Sequence, residues 1–152
     1  MTSLKTLETI EDGRVERARA PVHIDASMFL GSWTSTNKDT QGIARLLIRD
    51  DGGQLAVRGF GACVPSLCDW GEARADVFAD SPDSTRAYSF VARFDHGFKE
   101  TSLQAKVEKG VLVVANFNRF KDGSGRANYF SREFFFRLPA GDDRVAGAKE
   151  QP

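Results

Sequence analysis

Two cysteines, Cys63 and Cys68, are the side chains in this sequence whose type and spacing most suggest chemistry. They lie five positions apart with Pro65 between them, and a disulfide can close such a loop if the chain turns back to bring the two Cα atoms within about 7 Å. Redox catalysis favours Cys-x-x-Cys, and zinc needs four ligands, but the histidines are only His23 and His96, at distant positions. The pair is therefore a disulfide candidate, with two unpaired thiols as the alternative, and no metal site is predicted.

The sequence contains no recognisable motif for acid–base or nucleophilic catalysis. The sequence contains no Gly-x-Ser-x-Gly, His-Glu-x-x-His, phosphate-loop or dinucleotide motif. His96 follows Asp95 and precedes Gly97, which indicates a turn histidine first and an acid–base role second. Carboxylates also occur at strand positions: Glu72, Asp76, Glu100 and Glu133. Most are expected on solvated faces, but an inward Glu133 beside an arginine would mark a site, because a buried charge needs a partner. The catalytic residues stay unknown, and no cofactor is predicted.

Composition describes the setting for these residues. The chain has 152 residues, 41% hydrophobic and 28% charged, which is typical of one folded domain. Because 21 basic residues balance 21 acidic ones, nucleic acid is an unfavourable partner. The segment 1–24 is charged throughout and has no apolar stretch long enough for a signal peptide or a membrane span. We therefore expect a cytoplasmic protein, or a secreted one if a signal was removed, with no membrane span.

Phenylalanine dominates the aromatic residues, with 12 Phe against two Tyr and two Trp. Phe brings apolar surface without a hydrogen-bonding group. Three roles stay open for it: filling a core, lining a cavity or forming an interface. The run 134–136 is all Phe, so in a strand it must point to both faces, and the outward rings leave a homodimer open as a partner.

Short alternating runs separated by turn signals predict eight β-strands. The predicted strands are 29–37, 43–49, 55–62, 70–79, 86–94, 98–107, 111–117 and 129–138. Their connections are too short for crossover helices, so neighbouring strands must be antiparallel. Closure into a barrel removes exposed sheet edges, which favours an eight-stranded up-and-down barrel over a sandwich. We expect an all-β fold with an N-terminal extension at 1–26, partly disordered, a barrel domain at 27–138, and a disordered tail at 139–152.

The run Gly31-Ser32-Trp33 on the first predicted strand resembles the calycin group, which includes the lipocalins. The resemblance implies that Trp33 closes one end of the barrel and that an arginine late in the last strand, Arg132 or Arg137, packs across it. The Cys-x4-Cys-Asp-Trp-Gly run that begins at Cys63 also resembles a group of small bacterial proteins of unknown function.

These observations favour the binding of a small hydrophobic molecule in an apolar barrel interior. The residues expected to line that interior are Trp33, Phe60, Tyr88, Phe90, Phe94, Phe117, Tyr129 and Phe134. Polar groups such as Tyr88, Tyr129, Asn116 or Arg58 would orient the molecule. The first alternative is a natural-product cyclase that acts by preorganising its substrate in the barrel, which needs no triad. The second is a secreted inhibitor or interaction module.

Overall fold

The computed structural model describes residues 23–139, and they form a closed barrel of eight antiparallel strands in sequential order. The predicted all-β barrel is therefore confirmed. After a short 3-10 helix, η1 (Ser27–Phe29), the strands are β1 (Gly31–Ser35), β2 (Ile43–Asp51), β3 (Gln54–Gly61), β4 (Cys68–Ala79), β5 (Ala87–Asp95), β6 (Lys99–Glu108), β7 (Val111–Phe120) and β8 (Tyr129–Arg137). Most of the segment 1–26 and nearly all of 139–152, where disorder was expected, lie outside the described residues.

Pairing of the first strand with the last closes the barrel. In the β1–β8 ladder Trp33 lies opposite Arg137, and in the β1–β2 ladder it lies opposite Leu46. The β2–β3 hairpin turns at Gly52 and Gly53, whose φ angles of +67° and +92° suit glycine because it has no Cβ. Every strand thereby has two hydrogen-bonded neighbours, so the barrel has no free edge.

One end of the barrel, here called the η1 end, is closed by Trp33. Its indole Nε1 donates a hydrogen bond to the carbonyl of Phe29 at 3.0 Å. The Arg137 guanidinium lies 4.3 Å from the centroid of the Trp33 ring and donates to the carbonyls of Leu30 and Met28. Of the two arginines considered for this position, the structure selects Arg137.

The barrel interior is filled by side chains over most of its length. Phe90 and Phe29 meet edge to face with centroids 5.0 Å apart. The following interior side chains have 0% exposure: Phe29, Ile43, Leu46, Val57, Phe90, Leu103, Leu112, Val114 and Phe135. A side chain that borders a void large enough for a water molecule has accessible surface, and these have none. They therefore pack against one another without a void of that size.

The loop between β3 and β4 is closed by a disulfide. Cys63 and Cys68 are bonded, with their Cα atoms 5.5 Å apart, so the predicted pairing is confirmed. The Val64–Pro65 peptide within the loop is cis. Residues 23–139 contain no helix long and apolar enough to cross a membrane.

The outer wall of the barrel displays an unusual number of aromatic rings. The following outward rings are 43–51% exposed: Phe78, Tyr88, Phe117, Phe130, Phe134 and Phe136. As predicted, the run 134–136 divides between faces, because Phe135 is buried while both its neighbours are exposed. Alternation predicted Tyr88 on the same face as Phe90. The register instead shifts between β4 and β5 at this point, and Tyr88 is the extra residue that turns outward.

Candidate functional site

The interior becomes polar toward the opposite end of the barrel, here called the loop end, where the connections 36–42, 62–67, 96–98 and 121–128 lie. Thr101, Asn116 and Asn118 are each less than 5% exposed. They occupy inward positions of β6 and β7, where Thr101 pairs with Asn118. Burying a polar group costs folding free energy unless the group is hydrogen-bonded. These side chains therefore need hydrogen-bond partners.

A continuous chain of hydrogen bonds, here called the polar chain, joins five of these side chains. His96 Nε2 lies 3.2 Å from Thr101 Oγ1, and Thr101 Oγ1 donates to Asn118 Oδ1 at 2.8 Å. Asn118 Nδ2 then donates to Asn116 Oδ1, and Asn116 Nδ2 donates to Glu133 Oε2, both at 3.1 Å. The polar chain thus connects a half-buried imidazole at the loop end with a carboxylate inside the barrel.

Glu133 anchors the polar chain from β8. Its Oε1 accepts from the backbone N–H of Ile43 at 3.1 Å, and its Oε2 also accepts from Ser131 Oγ at 3.2 Å. An added Cβ at Gly42 would lie 2.9 Å from Glu133 Oε2, so glycine at position 42 leaves room for the carboxylate. The inward Glu133 that the sequence raised is therefore present. Within residues 23–139 its hydrogen-bond partners are one backbone N–H, an amide and a hydroxyl, and not an arginine.

Burial has the largest effect on the pKa of His96. It lowers the pKa of the imidazole below its ordinary value, and the ammonium of Lys99 lowers it further, whereas the carboxylate of Asp95 raises it. Burial acts in this direction because it disfavours the charged form. At neutral pH His96 is therefore an uncharged ring, able to accept a hydrogen bond on one nitrogen and to donate from the other.

An arc of six rings borders the loop end and contains His96. The arc consists of Trp70, Phe94, His96, Phe98, Phe120 and Tyr129, and successive centroids along it lie 4.9–6.4 Å apart. Trp70 meets His96 edge to face at 4.9 Å. Phe94 is almost fully buried, while Phe98 and Tyr129 are about half exposed. This aromatic arc offers ring faces and edges to whatever approaches the loop end.

Two glycines of β3 make room for Trp70. An added Cβ at Gly59 would lie 2.7 Å from Trp70 Cε3, and one at Gly61 would lie 2.9 Å from Trp70 Nε1. Such contacts are too close for real atoms, so any larger residue at either position would displace the indole. Gly59 and Gly61 therefore determine the place of Trp70 in the aromatic arc.

Two cations lie against the aromatic arc. Lys99 Nζ is 5.8 Å from the Phe98 centroid and 5.7 Å from the Tyr129 centroid, within the range of a cation–π contact. Arg126 lies 4.2 Å from the Phe120 centroid, and its guanidinium is paired with a neighbouring aspartate in the same loop. Lys99 differs, because no carboxylate of residues 23–139 lies within ion-pair distance of its ammonium.

The eight residues predicted to line one apolar interior fall into three groups. Trp33 and Phe90 belong to the filled core, while Phe94 and Tyr129 belong to the aromatic arc. The other four point to the outer side of their strands: Tyr88, Phe117 and Phe134, which are exposed, and Phe60, which is only 6% exposed. The outward direction of Phe60 follows from the strand register, because residues that pair across strands point to the same face. Phe60 pairs with Arg45, Arg45 pairs with Thr34, and Thr34 pairs with the outward Phe136. The structure therefore does not bring the eight together.

Several residues of the site escaped the sequence prediction. Lys99, Thr101 and Asn118 carried no motif, and Trp70 was read as part of a strand and of the Cys-x4-Cys-Asp-Trp-Gly run, without a role in a site. One signal was available: Asn116 and Asn118 continue the inward series of Leu112 and Val114 at alternate positions of β7. Two amides on an otherwise apolar face indicate a buried polar cluster.

Grooves of ligand size also occur outside the wall. One of about 580 Å³ is walled by Arg93, Phe117, Arg119 and Phe130 on the outer side of β5–β8. A second, of about 470 Å³, lies further along the same strands. The larger groove is the rival to the loop end as a binding site. Four residues contribute to both: Phe94, Thr101, Asn118 and Tyr129.

No three His, Cys, Asp or Glu side chains of residues 23–139 converge to hold a metal ion. In comparisons with family models, curated proteins and solved structures, the chain matches none of them. The function is therefore argued from the geometry of the loop end.

Proposed function

We propose that the protein binds one small organic acid with an apolar, ring-containing body at the loop end of the barrel. The observation that supports this most is the position of Lys99, whose ammonium lies against Phe98 and Tyr129 without a carboxylate partner among the described residues. An anionic group of a ligand would supply the missing partner, and the adjacent rings would cover its apolar body.

The loop end is a better site than the interior for such a molecule. A ligand in the interior would have to displace side chains such as Phe90 and Phe135, which have 0% exposure and leave no space beside them. We therefore place the small hydrophobic ligand, which was expected from the sequence, at the aromatic arc and not in the barrel interior. The packing of Arg137 on Trp33 at the η1 end supports the resemblance to calycins.

The chemistry of the loop end fits the usual design of a small-molecule site. Such sites are mainly apolar and contain a few placed polar groups that fix orientation. Here Lys99 supplies one positive charge, and His96 supplies an uncharged nitrogen, because burial lowers its pKa. The buried polar chain behind His96 holds that ring in place.

Binding of 2-naphthoate and of its uncharged analogue 2-naphthamide, followed by calorimetry, tests the role of charge. We expect naphthoate to bind more tightly, and Lys99→Met to weaken naphthoate roughly fivefold or more while leaving naphthamide unchanged. Lys106→Met is the matched control, since Lys106 Nζ lies 5.6 Å from the Tyr88 ring but on the outer wall and beside Glu108. Equal affinities for the two probes would contradict the proposal.

Two ring deletions decide between the loop end and the outer groove. Phe98 and Phe130 are 46% and 51% exposed, so replacing either by alanine removes a similar amount of apolar surface. Phe98→Ala should weaken naphthoate binding, and Phe130→Ala should not. The reverse result would place the site in the groove beside Phe117 and overturn the proposal.

A second candidate function, catalysis on a preorganised substrate, is favoured by the neutral His96 within the aromatic arc. An uncharged imidazole beside a bound molecule can act as a general base. Native mass spectrometry of protein isolated from its own source identifies a retained molecule, which is then incubated with protein in D₂O. Deuterium entering a C–H position with the wild type but not with His96→Gln would support catalysis. No exchange would leave binding as the function.

Self-association is proposed for the outer wall of β7 and β8. In their ladder Phe117 lies opposite Phe130, and Val113 lies opposite Phe134, so these side chains lie on one outward strip, with Arg132 opposite Ala115 between the two apolar pairs. A second copy of the chain would cover it. Sedimentation of Phe134→Glu against Phe78→Glu tests this, because a dimer built on the strip should dissociate only with the first substitution.

A further inference from the structure

The direction of the polar chain determines which nitrogen of His96 carries the proton. A carboxylate can only accept, so Glu133 must receive the NH₂ group of Asn116, which therefore turns its oxygen toward Asn118. Asn118 in turn presents its oxygen to the hydroxyl of Thr101, which donates to it. The Thr101 oxygen is then left to accept from Nε2–H of His96.

The other ring nitrogen is consequently unprotonated. Nδ1 of His96 has no hydrogen-bond partner in the part of the chain that the structure describes, although the ring is only half-buried and stands in the aromatic arc. An acceptor without a partner at the edge of a site is suited to a donor group of a bound molecule.

We propose that Glu133 is a positioning residue that acts through the polar chain to hold His96 as its Nε2–H tautomer, so that Nδ1 accepts a hydrogen bond from a hydroxyl or N–H group of the bound molecule. The choice of tautomer is independent of any ligand. Only the identity of the donor rests on the proposed function. The ligand class then becomes a ring-containing organic acid with an additional hydrogen-bond donor.

Substitution of Glu133 by glutamine should reverse the direction of the hydrogen bonds along the polar chain. The backbone N–H of Ile43 is a fixed donor, so the amide oxygen of the new side chain must face it, and the NH₂ group must face Asn116. Asn116 and Asn118 then turn over to present oxygen on one side and NH₂ on the other. Thr101 would accept from Asn118 and donate to Nε2 of His96, which moves the proton to Nδ1.

Imidazole ¹⁵N chemical shifts report the tautomer directly, since a protonated and an unprotonated ring nitrogen resonate far apart. The chain has only two histidines, and His23→Gln leaves the signals of His96 alone. We expect Nε2–H in the wild type and Nδ1–H in Glu133→Gln. Glu72→Gln is the matched control, because Glu72 pairs with Arg49 on the outer wall, and it should leave the wild-type tautomer. An equal mixture in the wild type, or an unchanged tautomer in Glu133→Gln, would overturn the proposal.

Thr101 gives a second measurement in case Glu133→Gln does not fold. Thr101→Ser keeps the hydroxyl and should retain Nε2–H, whereas Thr101→Val removes the acceptor and should give a mixture of tautomers. If the single His96 tautomer is lost in both variants, or in neither, the polar chain does not determine the tautomer.

The ligand half is tested with 6-hydroxy-2-naphthoate and 6-methoxy-2-naphthoate, of which only the first has a hydroxyl donor. The wild type should prefer the hydroxy compound roughly fivefold, the effect of one hydrogen bond, and Glu133→Gln should lose that preference because Nδ1 then carries the proton. No preference in the wild type would overturn the assignment of a donor. Failure of both compounds to bind would refute the proposed function, while the ¹⁵N shifts would still decide the tautomer.

Discussion

Substitution of neighbouring residues on β8 measures how completely the barrel is filled. Phe135 has 0% exposure and points into the interior, whereas Phe134, with 43% exposure, lies on the outer wall. Alanine at position 135 and at position 134 therefore removes the same ring from two opposite environments on one strand.

The expected magnitudes follow from the burial of each ring. A Phe side chain removes about 150–250 Å² from water, which at about 25 cal/mol/Å² corresponds to roughly 4–6 kcal/mol. Part of this is kept by alanine and by relaxation, so Phe135→Ala should lower the free energy of unfolding by about 3–5 kcal/mol. Phe134→Ala should lower it by about 1–2 kcal/mol, because the ring is nearly half exposed in the native state.

Guanidinium unfolding of the two variants and the wild type provides the assay, with unchanged m-values confirming the same transition. Phe135→Leu, which keeps most of the volume, should cost less than about 2 kcal/mol and covers the case in which the alanine variant does not fold. If Phe135→Ala costs no more than Phe134→Ala, the interior is not filled around β8. An interior ligand would then become the better hypothesis.

Two further predictions concern His96 and the disulfide. Burial, followed by the charge of Lys99, lowers the pKa of His96 in the folded protein, so between the folded value and the unfolded value near 6.5 the unfolded chain binds more protons. The free energy of unfolding should therefore fall as the pH drops below about 6.5, and His96→Gln, measured at about pH 8 and pH 5.5, should show a smaller fall; an equal fall would contradict this sign. The double substitution Cys63→Ser and Cys68→Ser opens a loop with a sequence separation of 5 and should lower stability by about 2 kcal/mol. Dithiothreitol should lower the wild type to the same value and leave the variant unchanged, and a reductant without effect on the wild type would refute the bond in solution.

Exposed ion pairs on the outer wall should matter much less than these interior groups. Arg49 pairs with Glu72 at 2.7 Å, and Arg119 pairs with Glu100 at 3.4 Å. All four side chains are about one-third or more exposed, so each pair contributes at most about 1 kcal/mol. The stability of the barrel therefore depends mainly on its filled interior, its closed ladder of strands and the covered η1 end.

Much of the candidate site depended on side-chain direction, which the sequence predicts only while alternation holds. For β7 alternation separates the two faces correctly, and Asn116 and Asn118 are inward like Val114, but the opposite face with Phe117 was predicted to be interior and is outward. For Tyr88 it failed, because the shifted register between β4 and β5 moves one residue out of the pattern. Phe60 was also predicted on the wrong face, although its spacing from the inward Leu55 and Val57 already places it on the opposite side of β3.

The sequence by itself determined the all-β barrel, because period-two runs joined by short glycine-bearing turns leave antiparallel pairing as the only arrangement. It also identified the cysteine pair and the split of the phenylalanines at 134–136, whereas the position of Trp33 was implied by the resemblance to calycins. Only the tertiary structure decided that the interior is filled and that the polar chain from Glu133 ends at His96. The physical reason is that the polar chain joins residues up to 37 positions apart, because β6, β7 and β8 are neighbours in the barrel and face one interior. A local sequence pattern does not specify which distant side chains come into contact.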